Sequence, residues 1–345
     1  MKTLRPFLAG VLLVSAGAWG GEFVDSCDAA PDSLVRVKNV AGSVHVQGWD
    51  SNQVSVKSIL GADVERLELV CTDKLVRIEV IIPKHHGRRI ESDLTVSIPK
   101  GSSLKLETVS AEARVEGVGG AVTVSTVSGG LAIQDAAGPV EAQSISGDVS
   151  VSGDAPSVTA KSTSGKVTVS GGIGQVRGES VSGSMGISGT MKRVEANTIS
   201  GDIKMAGAAN QVKLETVSGK VSVDRVLEQA EASTVSGSID MTGDRLSAAE
   251  FSTASGDVDF TGDLAEKGIL KVSTQSGGIR IRIPEQTAAR YDASTLSGAI
   301  KNEFGPTPQR ANKHGPGLKL QFGPPEATAS VRLESASGGI SIERR

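Results

Sequence analysis

Ser146-Gly147-Asp148-Val149-Ser150-Val151 returns eighteen residues later as Ser164-Gly165-Lys166-Val167-Thr168-Val169. The same Ser-Gly pair stands at Ser128-Gly129, Ser182-Gly183, Ser200-Gly201, Ser218-Gly219 and Ser236-Gly237, always at a step of 18. Ser110-Ala111 sits one step earlier. The beat then loosens through Ser255, Ser276 and Ser297, and returns at Ser337-Gly338. Self-similarity at a short fixed period is the signature of a solenoid.

Counting from the serine, position four reads Leu131, Val149, Val167, Met185, Ile203, Val221, Ile239. Position six reads Ile133, Val151, Val169, Ile187, Met205, Val223, Met241. Position thirteen holds Val140, Val158, Val176, Val194 and Val212, and position eighteen Val127, Ile145, Val181, Ile199, Val217 and Val235. These four columns are the expected interior. Apolar residues two apart, mostly β-branched, have strand periodicity, and no helical stripe survives the spacing. Each coil should hold two short strands, around positions three to seven and twelve to eighteen.

One coil has too few apolar side chains for a core. Coils stacked in parallel at roughly 4.8 Å put Val above Val and close the backbone ladder between neighbours. The fold class is therefore all-β: a single-stranded parallel β-solenoid, or β-helix, with about 18 residues per coil. A left-handed hexapeptide helix would need apolar residues at position sixteen, which holds Gln143, Lys161, Glu179, Asn197, Glu215 and Ser233. That form is disfavoured, and handedness stays open. The Ser-Gly pair marks a geometric need: glycine takes a φ > 0 corner or lets coils approach closely, and serine bonds nearby backbone.

Residues 1–18 read as a signal peptide. Lys2 and Arg5 precede an apolar core from Leu8 to Val14 and a small-residue site at Ala16-Gly17-Ala18, with cleavage after Gly20 as an alternative. The apolar run is too short to span a bilayer, no lipoprotein cysteine follows it, and no later segment reads as a transmembrane helix. Residues 19–109 are strand-rich but irregular, opening the solenoid and capping an edge otherwise ready to pair with another chain. Residues 110–298 hold the regular coils. Residues 299–345 combine a Pro/Gly-rich loop with a final coil around Ile340-Ser341-Ile342.

With 36 basic and 39 acidic residues, and no basic block, the chain offers no footprint for nucleic acid. Cys27 and Cys71, an even pair in an exported chain, are expected to form one disulfide that ties the N-terminal end to a later strand. The loop Pro83-Lys84-His85-His86-Gly87-Arg88-Arg89 reads as a solvated basic hairpin tip rather than a metal site, since adjacent strand residues point to opposite faces.

The stretch Asp93-Leu94-Thr95-Val96-Ser97-Ile98-Pro99-Lys100-Gly101, followed by Leu104-Lys105-Leu106-Glu107-Thr108-Val109-Ser110, resembles the recurring unit of the bacterial DUF4097 family, whose members carry the label of adhesin without an agreed activity. Ile281-Arg282-Ile283-Pro284 with Thr295-Leu296-Ser297-Gly298-Ala299-Ile300 repeats the pattern, and Val37 to Trp49 resembles the family's opening strand pair. The resemblance implies a β-solenoid and carries over no site residues.

No residues stand out as catalytic, cofactor-binding or metal-binding. Position three reads Asp148, Lys166, Ser184, Asp202, Lys220, and position fourteen Glu141, Thr159, Arg177, Glu195, Lys213, Glu231: acids face bases one coil away, as in a solvated ladder. Only 3% of the residues are aromatic, little from which to build a sugar-stacking cleft. The favoured expectation is an exported, non-enzymatic scaffold or adhesin-like protein of the bacterial cell envelope, in the periplasm, at the cell surface or secreted, with an envelope or surface protein or glycan as ligand and no cofactor. A carbohydrate-active β-helix enzyme and an end-to-end polymer are the alternatives.

Overall fold

A computed structural model describes residues 11–15, 22–72, 74–83, 89–311 and 316–345. For Val11–Ser15 the backbone alone is described. Most of the leader stretch, and the basic tip at 84–88, lie outside the described residues. The described chain is all-β and forms two compact units, Met1–Ile173 and Gly174–Arg345. Each is a parallel β-solenoid of two sheets that share one interior.

In the first unit the register repeats by 18. Val122, Val140 and Val158 are successive partners in one sheet, and Leu131, Val149 and Val167 in the other. All are at most 3% exposed. The N-terminal strands break chain order. Strand Leu34–Trp49 pairs in parallel with the later strand Ser103–Glu116 on one side, and with Leu75–Ile81 and Ser92–Pro99 on the other. Antiparallel strands finish this end: Gln53–Leu60 and then Glu22–Asp28 on one sheet, Arg66–Cys71 and then Val11–Ser15 on the other.

In the second unit Met185–Thr198, Ile203–Thr216 and Val221–Ser236 each run from one sheet into the other as continuous strands. The expectation of two separate strands per coil is corrected here, because pairing persists through the corner at Gly189↔Gly207 and Met191↔Ala209. That corner, position eight, supplies the positive φ: Gly153 and Gly171 in the first unit, Gly189 and Gly207 in the second.

The Ser-Gly glycines have no such φ. Their need is space. A Cβ on Gly147 would sit 2.0 Å from the carbonyl oxygen of Gly129, and one on Gly219 2.1 Å from that of Gly201. Position seventeen organises this tight corner. Ser144 and Ser162 accept from the N–H of Gly147 and Gly165, at 2.8 and 2.9 Å. Ser162 donates back to the Gly147 carbonyl of the preceding coil at 3.2 Å, as Thr216 does to Gly201. A buried column of hydroxyls thus ties rung to rung where backbone groups would otherwise be unsatisfied.

An inward position seventeen sends position eighteen outward. Val127, Ile145, Val181, Ile199, Val217 and Val235 are between 42% and 51% exposed, so this column is a surface ridge and not the interior it was expected to be. Position fifteen is a further inner column, mostly alanine: Ala142, Ala160, Ala196, Ala232. Volume is conserved across the interior. Where position fifteen shrinks to Gly178, position four grows to Met185, whose sulfur lies 2.8 Å from the place of the missing Cβ.

The C-terminal end also breaks chain order. Ala329–Ser337 pairs with Val258–Ser276 on one side and with Ala289–Thr295 on the other. Strand Ile340–Arg344 likewise lies between Ile279–Ile283 and Ile300–Asn302. The last strands of the chain are clamped between earlier ones, and the antiparallel strand Leu318–Phe322 follows outside Ala289–Thr295.

Candidate binding surfaces

Outward side chains at positions twelve and fourteen of the second unit form straight rows, because the register holds across seven strands. The first row runs Arg193, Gln211, Gln229, Ala248, Ile269, Ser330 and ends at Arg290. The second runs Glu195, Lys213, Glu231, Glu250, Lys271, Arg332 and ends at Asp292. Between and over them lie two open cavities of ≈ 290 and ≈ 700 Å³, which share Ile269 and Lys271. The result is a shallow trough across the rungs of one outer sheet face.

Most of its charge is internally matched. Lys213 Nζ stands 3.0 Å from Glu231 and 3.2 Å from Glu215, and the Glu231 hydrogen bond, then that to Glu215, holds its ammonium above the ordinary lysine value. Lys271 lies 3.9 Å from Glu250. At the far end the matching stops. Arg290 and Arg332 are exposed and make no ion pair or side-chain hydrogen bond among the described residues. The Asp292 carboxylate accepts from Gln321 Nε2 at 2.9 Å and lies 4.0 Å from Lys319 Nζ.

The expected charge ladder is present in altered form. Some pairs cross rungs, such as Lys213 with Glu231, while others run along one strand, such as Arg177 Nε to Glu179 at 2.7 Å. At position three the acids bind backbone instead: Asp148 accepts from the N–H of Lys166, and Asp202 from that of Lys220, both at 2.7 Å. Surface pairs of this kind contribute little each, about 0–1 kcal/mol.

Three aromatics that look scattered in the sequence meet at the end of the second unit. Tyr291 and Phe322 stack with centroids 4.4 Å apart, Phe304 lies 6.0 Å from Tyr291, and the Arg344 guanidinium sits 5.6 Å from the Phe304 centroid. Tyr291 is 4% exposed. Burial, and then the charge of Asp263, push its phenol up to about 12. Phe304 and Phe322 are half-buried, and Tyr291 and Phe322 line the ≈ 700 Å³ cavity.

At the other end of the chain, Cys27 on an edge strand of one sheet and Cys71 at the end of a strand of the other are joined, with sulfurs 2.03 Å and Cα atoms 6.5 Å apart. The bond crosses between the two sheets of the first unit. His45 lies 3.6 Å from Glu116, while His85, His86 and His314 lie outside the described residues. Among the described residues no group of three or more His, Cys, Asp or Glu is placed to hold a metal ion. Nor is any helix there long and apolar enough to cross a membrane.

Solved structures with similarity to the chain include one described as a "putative adhesin" from Parabacteroides merdae, at 11% identity, 94% of this chain, 97% of that chain and a TM-score of 0.32. A "putative lipid binding protein" from Parabacteroides distasonis matches at 12% identity, 94% and 97% coverage and a TM-score of 0.27. A "putative cell adhesion protein" from Clostridium sporogenes matches at 10%, with 95% and 100% coverage and a TM-score of 0.20. No curated protein matches. The Toastrack DUF4097 family model matches twice, over residues 34–206 and 170–343, and so covers both the irregular opening strands and the clamped final coil. The chain belongs to the Toastrack DUF4097 family.

Proposed function

We propose that this protein is an exported, non-enzymatic β-solenoid of the bacterial cell envelope that acts as an adhesin-like binding scaffold. The observation that carries this reading is the trough of the second unit. It presents rows of polar side chains in register, and its acids are held by Lys, Arg or Gln side chains rather than left facing a common point. A long row of modest contacts suits an extended ligand, whose binding grows by avidity along the rungs. The leader-like stretch 1–18 and the pair Cys27/Cys71 fit an oxidising compartment outside the cytoplasm.

One observation favours a second reading. Glu231 and Glu250 are direct register partners in the trough, an arrangement that could serve glycoside hydrolysis. Both side chains, however, are more than half exposed, 53% and 66%, and each has its lysine. That is a solvated pair ladder and not a water-excluded site.

The test uses the purified protein and bacterial envelope extract. Removal of one full coil, Ser200 to Val217, keeps the register. Binding to the extract is expected to fall several-fold without vanishing. Glycan cleavage by the wild type that Glu250→Gln or Glu231→Gln abolishes would replace the scaffold reading with the enzymatic one.

A further inference from the structure

Chain order alone would set Asp292 beside Lys271, an acid facing a base. The clamped strand Ala329–Ser337 prevents this. It places Arg332 directly between Lys271 and Asp292, and Ser330 between Ile269 and Arg290. Two cations, Lys271 and Arg332, therefore stand on adjacent strands, where like charges oppose folding. Arg290 is the diagonal neighbour of Arg332. Of the nearby acids, Asp292 is engaged by Gln321 on its far side, Glu250 lies 3.9 Å from Lys271, and Glu334 stands two residues along the strand from Arg332 without an ion pair to it among the described residues. The fold thus sets three basic side chains around one hydroxyl, in a cavity of ≈ 700 Å³, and leaves both guanidinia without a partner among the described residues.

We propose that this end of the trough is a subsite for the carboxylate or phosphate of an acidic glycan, with Arg290 and Arg332 as its ligands, Lys271 adding charge and Ser330 a hydroxyl. The proposal rests on the binding-scaffold reading and gives its ligand class. The rest of the trough decides what kind of polymer carries the acid. Gln211, Gln229, Ala248 and Ile269 lead away from the subsite as a neutral row, one residue per rung of about 4.8 Å. A sugar unit in an extended chain advances by about one rung, so successive units meet the same register position on successive strands. An extended peptide advances about 3.3 Å per residue and drifts out of step. A nucleic acid, charged at every unit, would run its phosphates past Glu231 and Glu250. The ligand that fits carries acid on some of its units only. Guanidinium groups suit it because they bind carboxylate and phosphate through paired, directed N–H donors.

The experiment measures binding of the full chain to a hyaluronan octasaccharide, acidic at alternate sugars, to neutral chitohexaose, and to single-stranded DNA of similar length. The wild type is expected to bind the acidic oligosaccharide at least ten-fold more tightly than either of the others. R290Q/R332Q should remove that preference and leave chitohexaose binding unchanged, while Arg114→Gln, on the first unit, should alter nothing. A thermal melt of R290Q/R332Q at or above that of the wild type would show that the loss is not unfolding. Equal binding of the acidic and neutral sugars, equal or tighter binding of DNA, or an unaffected R290Q/R332Q would each overturn the subsite. If these occur while envelope extract is still bound, the scaffold reading stands and the subsite alone falls; loss of both sinks the scaffold reading too.

Discussion

Replacing Gly147 by alanine adds a single methyl group, and the geometry fixes where it must go. The new Cβ would lie 2.0 Å from the Gly129 carbonyl oxygen, 2.6 Å from its carbon and 3.0 Å from Ser144 Oγ, whereas ordinary contact begins near 3.4 Å. Two of the three obstacles are backbone of the preceding rung, so no side chain can swing away. The rungs must part by about 1 Å at a corner where rise is set by hydrogen bonds. The bonds at stake are Gly147 N–H to Ser144 at 2.8 Å and Ser162 to the Gly147 carbonyl at 3.2 Å. Overpacking costs about 1–3 kcal/mol, and weakening two buried hydrogen bonds adds about 1 kcal/mol each. The expected loss is about 3–5 kcal/mol. For a unit of this size that lowers the melting temperature by about 6–20 °C. Gly130, one residue before the inward Leu131, is the internal control: nothing lies within 4 Å of its Cβ. Gly130→Ala should be neutral, or stabilise by up to about 1 kcal/mol through the unfolded chain. Calorimetric melts of both variants decide the matter. A Gly147→Ala protein that melts with the wild type would refute the close-approach account of the Ser-Gly motif.

Val167, 1% exposed and aligned with Val149, should not tolerate a carboxylate: Val167→Asp is expected to cost about 3–5 kcal/mol, seen as a lowered denaturant midpoint. Tyr291 is the single tyrosine, so its ionisation can be followed by ultraviolet absorbance alone. Its phenol is raised to about 12 in the fold, so its contribution to stability is complete below the free phenol value of about 10 and is lost as pH rises toward 12; titration with a midpoint near 10 while the fold persists would count against its burial. Loss of the Cys27–Cys71 bond, which joins residues 44 apart, should cost about 3–4 kcal/mol, measured as the difference between oxidised and reduced melts.

How much of this was legible beforehand follows from which features share the 18-residue beat. Positions four, six and thirteen were readable because every coil repeats them and burial demands apolar side chains there. Position eighteen misled because Val127 and its equivalents are as apolar as the core, and apolarity alone does not tell a corner ridge from an interior. The column that ties the corner together, Thr126, Ser144, Ser162, Ser180 and their successors, was hidden by its chemistry: a hydroxyl two residues before Ser-Gly reads as one more solvent-facing polar residue. Its signal was present all the same, since it is Ser or Thr in every regular coil while its neighbour at position sixteen varies freely between Gln143, Lys161 and Asn197.

The basic end of the trough was illegible for a different reason. Reading a solenoid assumes that each coil stacks on the one before it in sequence, and the chain departs from this at both ends. Leu34–Trp49 sits inside Leu75–Ile81, and Ala329–Ser337 sits inside Ala289–Thr295. Such insertions leave no trace in local periodicity, because every strand keeps its own alternation. They have a clear physical effect: a terminal segment paired on both sides cannot peel off without breaking two ladders, and fraying is the weakness of any stack held only by nearest neighbours. The same insertion decides charge. Inner columns are constrained to match from rung to rung, but outer residues are matched only by what evolution places beside them, and the clamped strand puts Arg332 where the next strand in sequence would have put Asp292. The device that locks the C-terminal end thus also sets two cations, Lys271 and Arg332, side by side in the outer trough, and an acidic ligand is the group that would relieve their repulsion.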